Sequence, residues 1–473
     1  MSWEVIMGLE VHAELSTKTK AFCSCAASFG ADANTLVCPI CSGMPGALPK
    51  LNKSVVEYAV KLGLATNCEI AKRCKFDRKN YFYPDLPSAY QRTQFHAPIC
   101  QNGKVEIDVN GEKKSVGITQ IHMEEDTGKL THGLDETFID LNRCSVPLLE
   151  IVSEPDFRTA AEVIAYLEKL RETMLYLEIC DCKMQEGSIR ADVNLSVRKP
   201  GEPFGTRVEM KNLNSFKAIT RAIEFETNRQ VEILESNGEL VQETRRWDDD
   251  EGISFSMRTK ADAQDYRYFP EPDLLPLEIS DGWIDEIRSE MPELAFEKRE
   301  RYIGKLGLSE FEAKTLTSHK NISDLFEKVA GICKNPIESA RLITGEIMNQ
   351  LNRTNTLPED LDLDAAKLAT AVILMSDGKI NRAAYKEVVR DIFYGNVDDV
   401  EKYVAEKGLL MQNDDGAVEA AVDAVLAANP DAITDFRAGK DRAFGFLMGQ
   451  VMKQLKGAGN PETVKKILGD KLN

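Results

Sequence analysis

Over roughly the first 290 residues, apolar and polar positions alternate with a period of two, broken by Gly, Pro and Asn turns. Ile6-Met7-Gly8-Leu9-Glu10-Val11-His12-Ala13-Glu14, Val105-Glu106-Ile107-Asp108-Val109 and Arg190-Ala191-Asp192-Val193-Asn194-Leu195-Ser196-Val197 each read as a strand with two unlike faces. Two stretches change period. From about Thr159 to Glu178, Ile164, Leu167, Leu170, Met174 and Leu177 recur at helical spacing, and a second helix is expected from about Ser215 to Asn237. This mixture predicts an α+β domain over residues 1–292. After Pro292 the pattern is helical as far as about Lys407, as in Ala340-Arg-Leu-Ile-Thr-Gly-Glu-Ile-Met-Asn-Gln-Leu351, so residues 293–407 are expected to form an all-α domain. A polar stretch, Gln412-Asn-Asp-Asp-Gly416, leads into a last helical segment, giving a small tail domain over residues 408–473. Gly345-Glu-Ile-Met-Asn-Gln and Gly445-Phe-Leu-Met-Gly-Gln are alike, but two short matches do not establish a duplication.

Composition changes the picture little. With 43% hydrophobic and 29% charged residues the chain falls among ordinary soluble globular proteins, which excludes disorder. No run approaches the roughly 20 apolar residues of a membrane span. The start runs directly into a strand pattern, with neither a basic n-region nor an Arg- and Ser-rich transit segment, so the expected location is the cytoplasm. Eleven cysteines, an odd number in a long chain, suit a reducing compartment better than a disulfide framework. The net charge of −18 argues against one large basic nucleic-acid surface. The tail is the exception. Between Arg437 and Asn473 eight Lys or Arg face three acids, so nucleic acid would touch this segment first, with Lys453, Lys456, Lys465 and Lys466 as candidate contacts. A solvated amphipathic helix accounts for the same charges.

The clearest generic motif is Cys23-x-Cys25 followed by Cys38-x-x-Cys41. Two close thiol pairs joined by a short loop can surround a tetrahedral ion, and Zn²⁺ fits four thiolates best. Pro39 and Gly43 supply the tight turn of such a knuckle. Four protein ligands leave no open position, so the zinc would be structural.

A second signal is charge inside apolar strands. A period of two puts Glu10, His12 and Glu14 on one face. A buried carboxylate is costly unless paired or metal-bound. Glu150 within Pro147-Leu-Leu-Glu-Ile-Val, Glu124 and Glu125 within Ile121-His-Met-Glu-Glu-Asp126, and Asp192 and Asn194 beside Arg190 repeat the oddity. Glutamates with a histidine form the ligand set of Mg²⁺ or Mn²⁺ at a nucleotide site. Glu124 and Glu125 point opposite ways on a regular strand, so a shared site would require a bulge there. Read singly, each acid is an exposed strand position. There is no Gly-x-x-x-x-Gly-Lys-Ser/Thr loop, no Gly-x-Gly-x-x-Gly and no Gly-x-Ser-x-Gly elbow, so any nucleotide would be held through metal and carboxylates. Phe76-Asp-Arg-Lys-Asn-Tyr-Phe-Tyr-Pro-Asp85 is either a substrate-facing loop, with Arg78 or Lys79 on phosphate, or a cation packed over aromatics.

That segment, together with His122-Met-Glu-Glu-Asp-Thr-Gly-Lys129, Ile139-Asp-Leu-Asn-Arg143, Pro147-Leu-Leu-Glu-Ile-Val-Ser-Glu-Pro-Asp156, Glu209-Met-Lys-Asn-Leu-Asn-Ser-Phe216, Gln242-Glu-Thr-Arg-Arg246 and Asp265-Tyr-Arg-Tyr-Phe-Pro-Glu-Pro-Asp273, closely resembles motifs of one family, the GatB-type subunit of the aspartyl/glutamyl-tRNA amidotransferase. The resemblance runs from Gly8 to Gly445-Phe-Leu-Met-Gly-Gln-Val-Met-Lys453 and Asn460-Pro461, and Ser145 departs from it where the family usually has Gly. It implies a catalytic cradle of the glutamine-synthetase type, mostly antiparallel sheet, then a helical domain and a small helical tail that touches tRNA. It implies ATP, with Mg²⁺ or Mn²⁺ on His12, Glu125 and Glu150. Catalytic roles are implied for Glu10, Glu124, Glu125 and Lys79, and weaker nucleotide or substrate roles for Asp192, Glu209 and Arg190. Two partners are implied as well, a glutaminase subunit that liberates ammonia and a small subunit that clasps it, with tRNA misacylated with Glu or Asp as substrate. Two other readings remain open: a non-catalytic zinc-knuckle scaffold that binds tRNA, and a free-standing ATP-dependent ligase for a small acid.

Overall fold

A strand inside a sheet needs partners for its backbone groups on both sides, and the alternating segment at the N-terminus has them. In the computed structural model, which describes residues 3–259, 266–411, 415–437, 440–455 and 461–472, that segment is β1 (Glu4–Glu14), near the middle of a nine-stranded sheet. The others are β2 (Glu69–Ile70), β3 (Cys100–Val109), β4 (Glu112–Glu125), β5 (Pro147–Ser153), β6 (Ile189–Arg198), β7 (Val208–Lys211), β8 (Glu243–Asp248) and β9 (Ile253–Thr259). Their spatial order is β9-β8-β7-β6-β1-β5-β4-β3-β2. Every neighbouring pair is antiparallel except β7 and β8.

Three helices pack on this sheet: α1 (Lys53–Ala65), α2 (Ala160–Tyr176) and α3 (Phe216–Glu235). The last two begin where the periodicity changed, and for a local reason. The side chains of Thr159 and Ser215 accept the backbone N–H of Glu162 and Ala218, satisfying donors that a first helical turn leaves unpaired. Leu9, Val11, Leu149, Ile151, Val193 and Leu195 are buried at the centre of the sheet.

The chain divides into two compact units, Met1–Leu294 and Ala295–Asn473. The second is helical throughout its described elements and contains two separate apolar cores. One runs from Tyr302 to Val404 and centres on residues such as Phe326, Ile343, Leu368 and Val388. The other, with Val418, Val422, Leu447, Val451 and Leu468, lies beyond the polar Gln412–Gly416 stretch, of which residues 412–414 fall outside the described part. No described helix is long and apolar enough to cross a membrane.

Candidate active site

The pleat sorts the central strands into an apolar face and a charged one, and the strand registers bring the charged residues level. Glu10 stands opposite Val152 on β5 and Asp192 on β6, and His12 opposite Glu150 and Arg190. Glu150 is also opposite His122 on β4, and Asn194 opposite Glu209 on β7. Directly opposed residues have Cβ atoms about 4.5–5.5 Å apart, so groups distant along the chain meet on one surface.

Two clusters result. In the first, ligand atoms of His122, Glu124 and Glu150 all lie within 4.8 Å of one another. His12 Nε2 is 3.4 Å and His122 Nε2 3.1 Å from the same Glu150 oxygen, and His122 Nε2 is 3.6 Å from Glu124. Burial disfavours charge here, yet the two imidazoles hold the Glu150 carboxyl well below the usual carboxylate range. Burial likewise opposes protonation of His122, but Glu150 and Glu124 outweigh it and push the ring up to about 10. Lys79 Nζ approaches Glu124 at 3.7 Å. Burial works against this ammonium too, and the charges of Glu124 and Glu150 more than compensate, raising its pKa.

In the second cluster, Glu10, Asp192 and Glu209 also bring ligand atoms within 4.8 Å of one another. Lys211 bridges Asp192 and Glu209, 2.9 Å from the latter. Asn194 Nδ2 donates to Glu10 at 3.0 Å. Burial, then the neighbouring charges of Glu150 and Glu209, raise the Glu10 pKa. Carboxylate oxygens with imidazole nitrogens fit a hard or borderline divalent cation such as Mg²⁺ or Mn²⁺.

Glu125 does not join either cluster. β4 is regular through this point, with Glu124 opposite Leu148 and Glu125 opposite Pro147, so adjacent side chains emerge on opposite faces. The Glu125 carboxylate instead meets Arg92 at 3.0 Å, and the same guanidinium reaches the fully buried Glu271 at 3.1 Å. Around Glu150 the structure gathers His12, His122 and Glu124, whereas Glu125, expected with His12 and Glu150, emerges on the other face. Ser145 also hydrogen-bonds to Glu125, with its backbone at φ 65°. A glycine there is free of strain, whereas a side chain costs about 1–2 kcal/mol, partly offset by that hydrogen bond.

The segment around Lys79 divides similarly. Residues Asp77–Asn80 form a strand in a small sheet with Tyr90–Thr93 and Phe269–Pro270. Arg78 is a structural tie: it bonds Glu271 and Asp273 and lies 4.1 Å from the Tyr90 ring centroid. Lys79 faces the acid–imidazole cluster. Arg190 donates to Asp126 at 2.8 Å, and Glu14, desolvated in its half-buried position and facing the Asp126 charge, is pushed up to about 8.

The four sulfurs of Cys23, Cys25, Cys38 and Cys41 also lie within 4.8 Å of one another. A hydrogen bond from Cys23 pulls the Cys41 thiol down to about 4, and Lys20 Nζ sits 3.5 Å from its sulfur. The turn after Cys41 needs Gly43: its φ is +66°, and a Cβ there would be 2.9 Å from the Ser88 nitrogen. Such a cluster can hold one metal ion by four protein ligands. In the tail, Lys453, Lys465 and Lys466 are exposed, and Lys456 lies outside the described residues.

Comparison with known proteins gives the family. A family model described as the GatB/GatE catalytic domain matches residues 5–285, and one described as the GatB domain matches residues 324–472. The chain is 54% identical to the B-type subunit of aspartyl/glutamyl-tRNA(Asn/Gln) amidotransferase from Lachnoclostridium phytofermentans, covering 100% of this chain and 99% of that protein. It is 53% identical to the protein of the same name from Caldicellulosiruptor bescii, with the same coverage. With that of Thermoanaerobacter pseudethanolicus it shares 48% over 100% of both chains. The chain belongs to the GatB/GatE family. Within that family frame, the strand face contains members that the sequence pattern alone did not single out. His122 and Lys211 each follow the period of two that marked Glu10, His12 and Glu14: His122 pairs with Glu124, and Lys211 with Glu209. Arg92 gave no such signal, because its partners Glu125 and Glu271 are brought to it only by the fold.

Arg92→Met leaves Glu125 and Glu271 buried without their shared cation. Denaturation of the purified chain should show a loss of about 3–5 kcal/mol; unaltered stability would remove Glu125 from this structural role.

Proposed function

We propose that this chain is the GatB-type subunit of a tRNA-dependent amidotransferase, acting on Glu-tRNA(Gln), Asp-tRNA(Asn) or both. The observation that carries the reading is the gathering of His12, Glu150, His122 and Glu124 beside Glu10, Asp192 and Glu209 on one face of the sheet. End-to-end similarity to proteins of that name supports it.

The chemistry explains why such a face is needed. A carboxylate is a poor electrophile, and ammonia does not displace its oxygen. Transfer of the terminal phosphoryl group of ATP to that oxygen gives an acyl phosphate. Ammonia then attacks the carbonyl carbon, a C–N bond forms, and the C–O bond to phosphate breaks as phosphate leaves. Phosphoryl transfer demands positioning and neutralisation of charge above all. His12, His122, Glu124 and Glu150 would hold Mg²⁺ or Mn²⁺, which supplies that neutralisation. Lys79 adds a fixed cation beside Glu124 that binds a phosphate or carboxylate oxygen. Glu10, whose burial raises its affinity for a proton, would take one from the attacking ammonia. Asp192 and Glu209, held by Lys211, border the nucleotide or substrate.

The ammonia comes from the glutaminase partner, with the small clasping protein as the third member of the complex, in the cytoplasm. Residues 1–292 form the catalytic cradle, 293–407 the helical domain and 408–473 the tRNA-contacting tail, where Lys453, Lys456, Lys465 and Lys466 meet phosphates. Cys23, Cys25, Cys38 and Cys41 would hold Zn²⁺, which would pin the knuckle.

Reconstituted with its glutaminase and clasping partners, glutamine, ATP and Glu-tRNA, the chain should yield Gln-tRNA. Glu150→Gln should lower the rate about 100-fold, ~2.7 kcal/mol of transition-state stabilisation, with tRNA binding intact; an unchanged rate favours the non-catalytic scaffold. Elemental analysis should find one zinc per chain, lost in Cys41→Ser. A folded native chain with four freely titrating knuckle thiols and no zinc contradicts the metal assignment.

A further inference from the structure

A buried lysine needs an anion, and two lysines are buried among the described residues. Lys298 has Asp324 and Glu327 at 3.2 and 3.1 Å. Lys20 is wholly enclosed and has no such partner. Among the described residues no carboxylate pairs with it, and its ammonium donates to Cys41 Sγ and to the Leu141 carbonyl, each at 3.5 Å. The anion it lacks must therefore be sulfur. A neutral thiol would not serve, whereas four thiolates on a divalent ion carry two negative charges in excess. Cys41 is the sulfur placed to share that charge, for it also accepts the backbone N–H of Cys38 at 3.2 Å. The same ammonium joins two parts of the chain. Leu141 lies in a segment clasped by the loop between the cysteine pairs. Asn34 donates to the Ile139 carbonyl at 2.9 Å and accepts the Leu141 N–H at 2.8 Å, and the Leu36 N–H donates to Asn142 at 2.8 Å. That segment runs on to Ser145, whose carbonyl accepts the Ala21 N–H at 2.8 Å and whose hydroxyl bonds Glu125.

We infer that Lys20 is the built-in counter-ion of a metal–tetrathiolate centre and the strut through which that centre holds the Leu141–Ser145 segment. This rests on the zinc reading of the knuckle and names the residue on which retention of the metal depends. A charge-assisted N–H···S bond draws electron density from the sulfur and offsets part of the centre's excess charge. Groups that hydrogen-bond to metal ligands commonly set metal affinity over a range of about 10–100-fold. The assignment has a corollary with a sign. Lys20 stabilises the metal-loaded chain alone, because without the metal the same ammonium is a buried charge that has lost its anion. A lysine that only filled space would matter equally in both states.

The test uses the full-length chain. Lys20→Met, which keeps the length of the side chain and removes its charge, should surrender zinc to a competing chelator about 10–100-fold more readily than wild type. Lys20→Gln, neutral but still a donor, should fall between the two. With Co²⁺ in place of zinc, the sulfur-to-metal charge-transfer band of Lys20→Met should move to lower energy, because a sulfur that has lost a donor gives up electrons more easily. Hydrogen exchange at Leu141–Val146 should quicken in the same variant. After the metal is stripped with EDTA, Lys20→Met should melt no lower than wild type. Cys41→Asp, which offers Lys20 a carboxylate without a metal, should melt above Cys41→Ser. If Lys20→Met keeps both the zinc affinity and the cobalt band of wild type, or lowers the melting temperature equally with and without metal, the inference fails and the zinc reading stands. If wild type holds no zinc, the zinc reading falls and takes the inference with it.

Discussion

The constraint on which the rest depends is the antiparallel register of β1 between β5 and β6. It sets His12 level with both Glu150 and Arg190, and Glu10 level with Asp192. A slip of one residue would turn every one of these charges into the apolar interior and bring Leu9 and Val11 out of it. Removing an unpaired charge from water costs several kcal/mol, so the buried apolar side chains on the other face make any other register expensive. The same burial that gives the sheet its core therefore fixes which polar groups meet.

Glu124 and Glu125 show how closely structure and chemistry are interleaved here. They are neighbours in sequence, yet one faces the His122 imidazole and Lys79 while the other is locked to Arg92 and Ser145. Arg92 links Glu125 to Glu271, and Arg78 links Glu271 onward to Asp273, so an ion network ties β4 to residues far along the chain. The cysteine knuckle joins this support: Ala21 donates its backbone N–H to the Ser145 carbonyl at 2.8 Å. The charged face thus sits on a scaffold that is itself ionic, held by pairs shielded from solvent.

Much of this was legible in the sequence, and the boundary of legibility is physical. Strand periodicity placed Glu10 and His12 on one face of their strand, and Asp192 and Asn194 on one face of theirs, because the pleat alternates whatever the partner strand. Helix starts at Thr159 and Ser215 were readable because capping is local. The cysteine spacing announced a cluster for the same reason. Register was not readable. It arises from long-range pairing, and without it His122 and Lys211 went unnoticed.

The central claim, that imidazoles and carboxylates from β1, β4 and β5 form one cation site, is tested most directly by anomalous diffraction from a crystal soaked in Mn²⁺ and a nonhydrolysable ATP analogue. The account predicts an anomalous peak bounded by His12, Glu150 and members of the His122–Glu124 pair. A peak coordinated by Glu125 on the opposite face, or no ion at the His12–Glu150 surface, would contradict it.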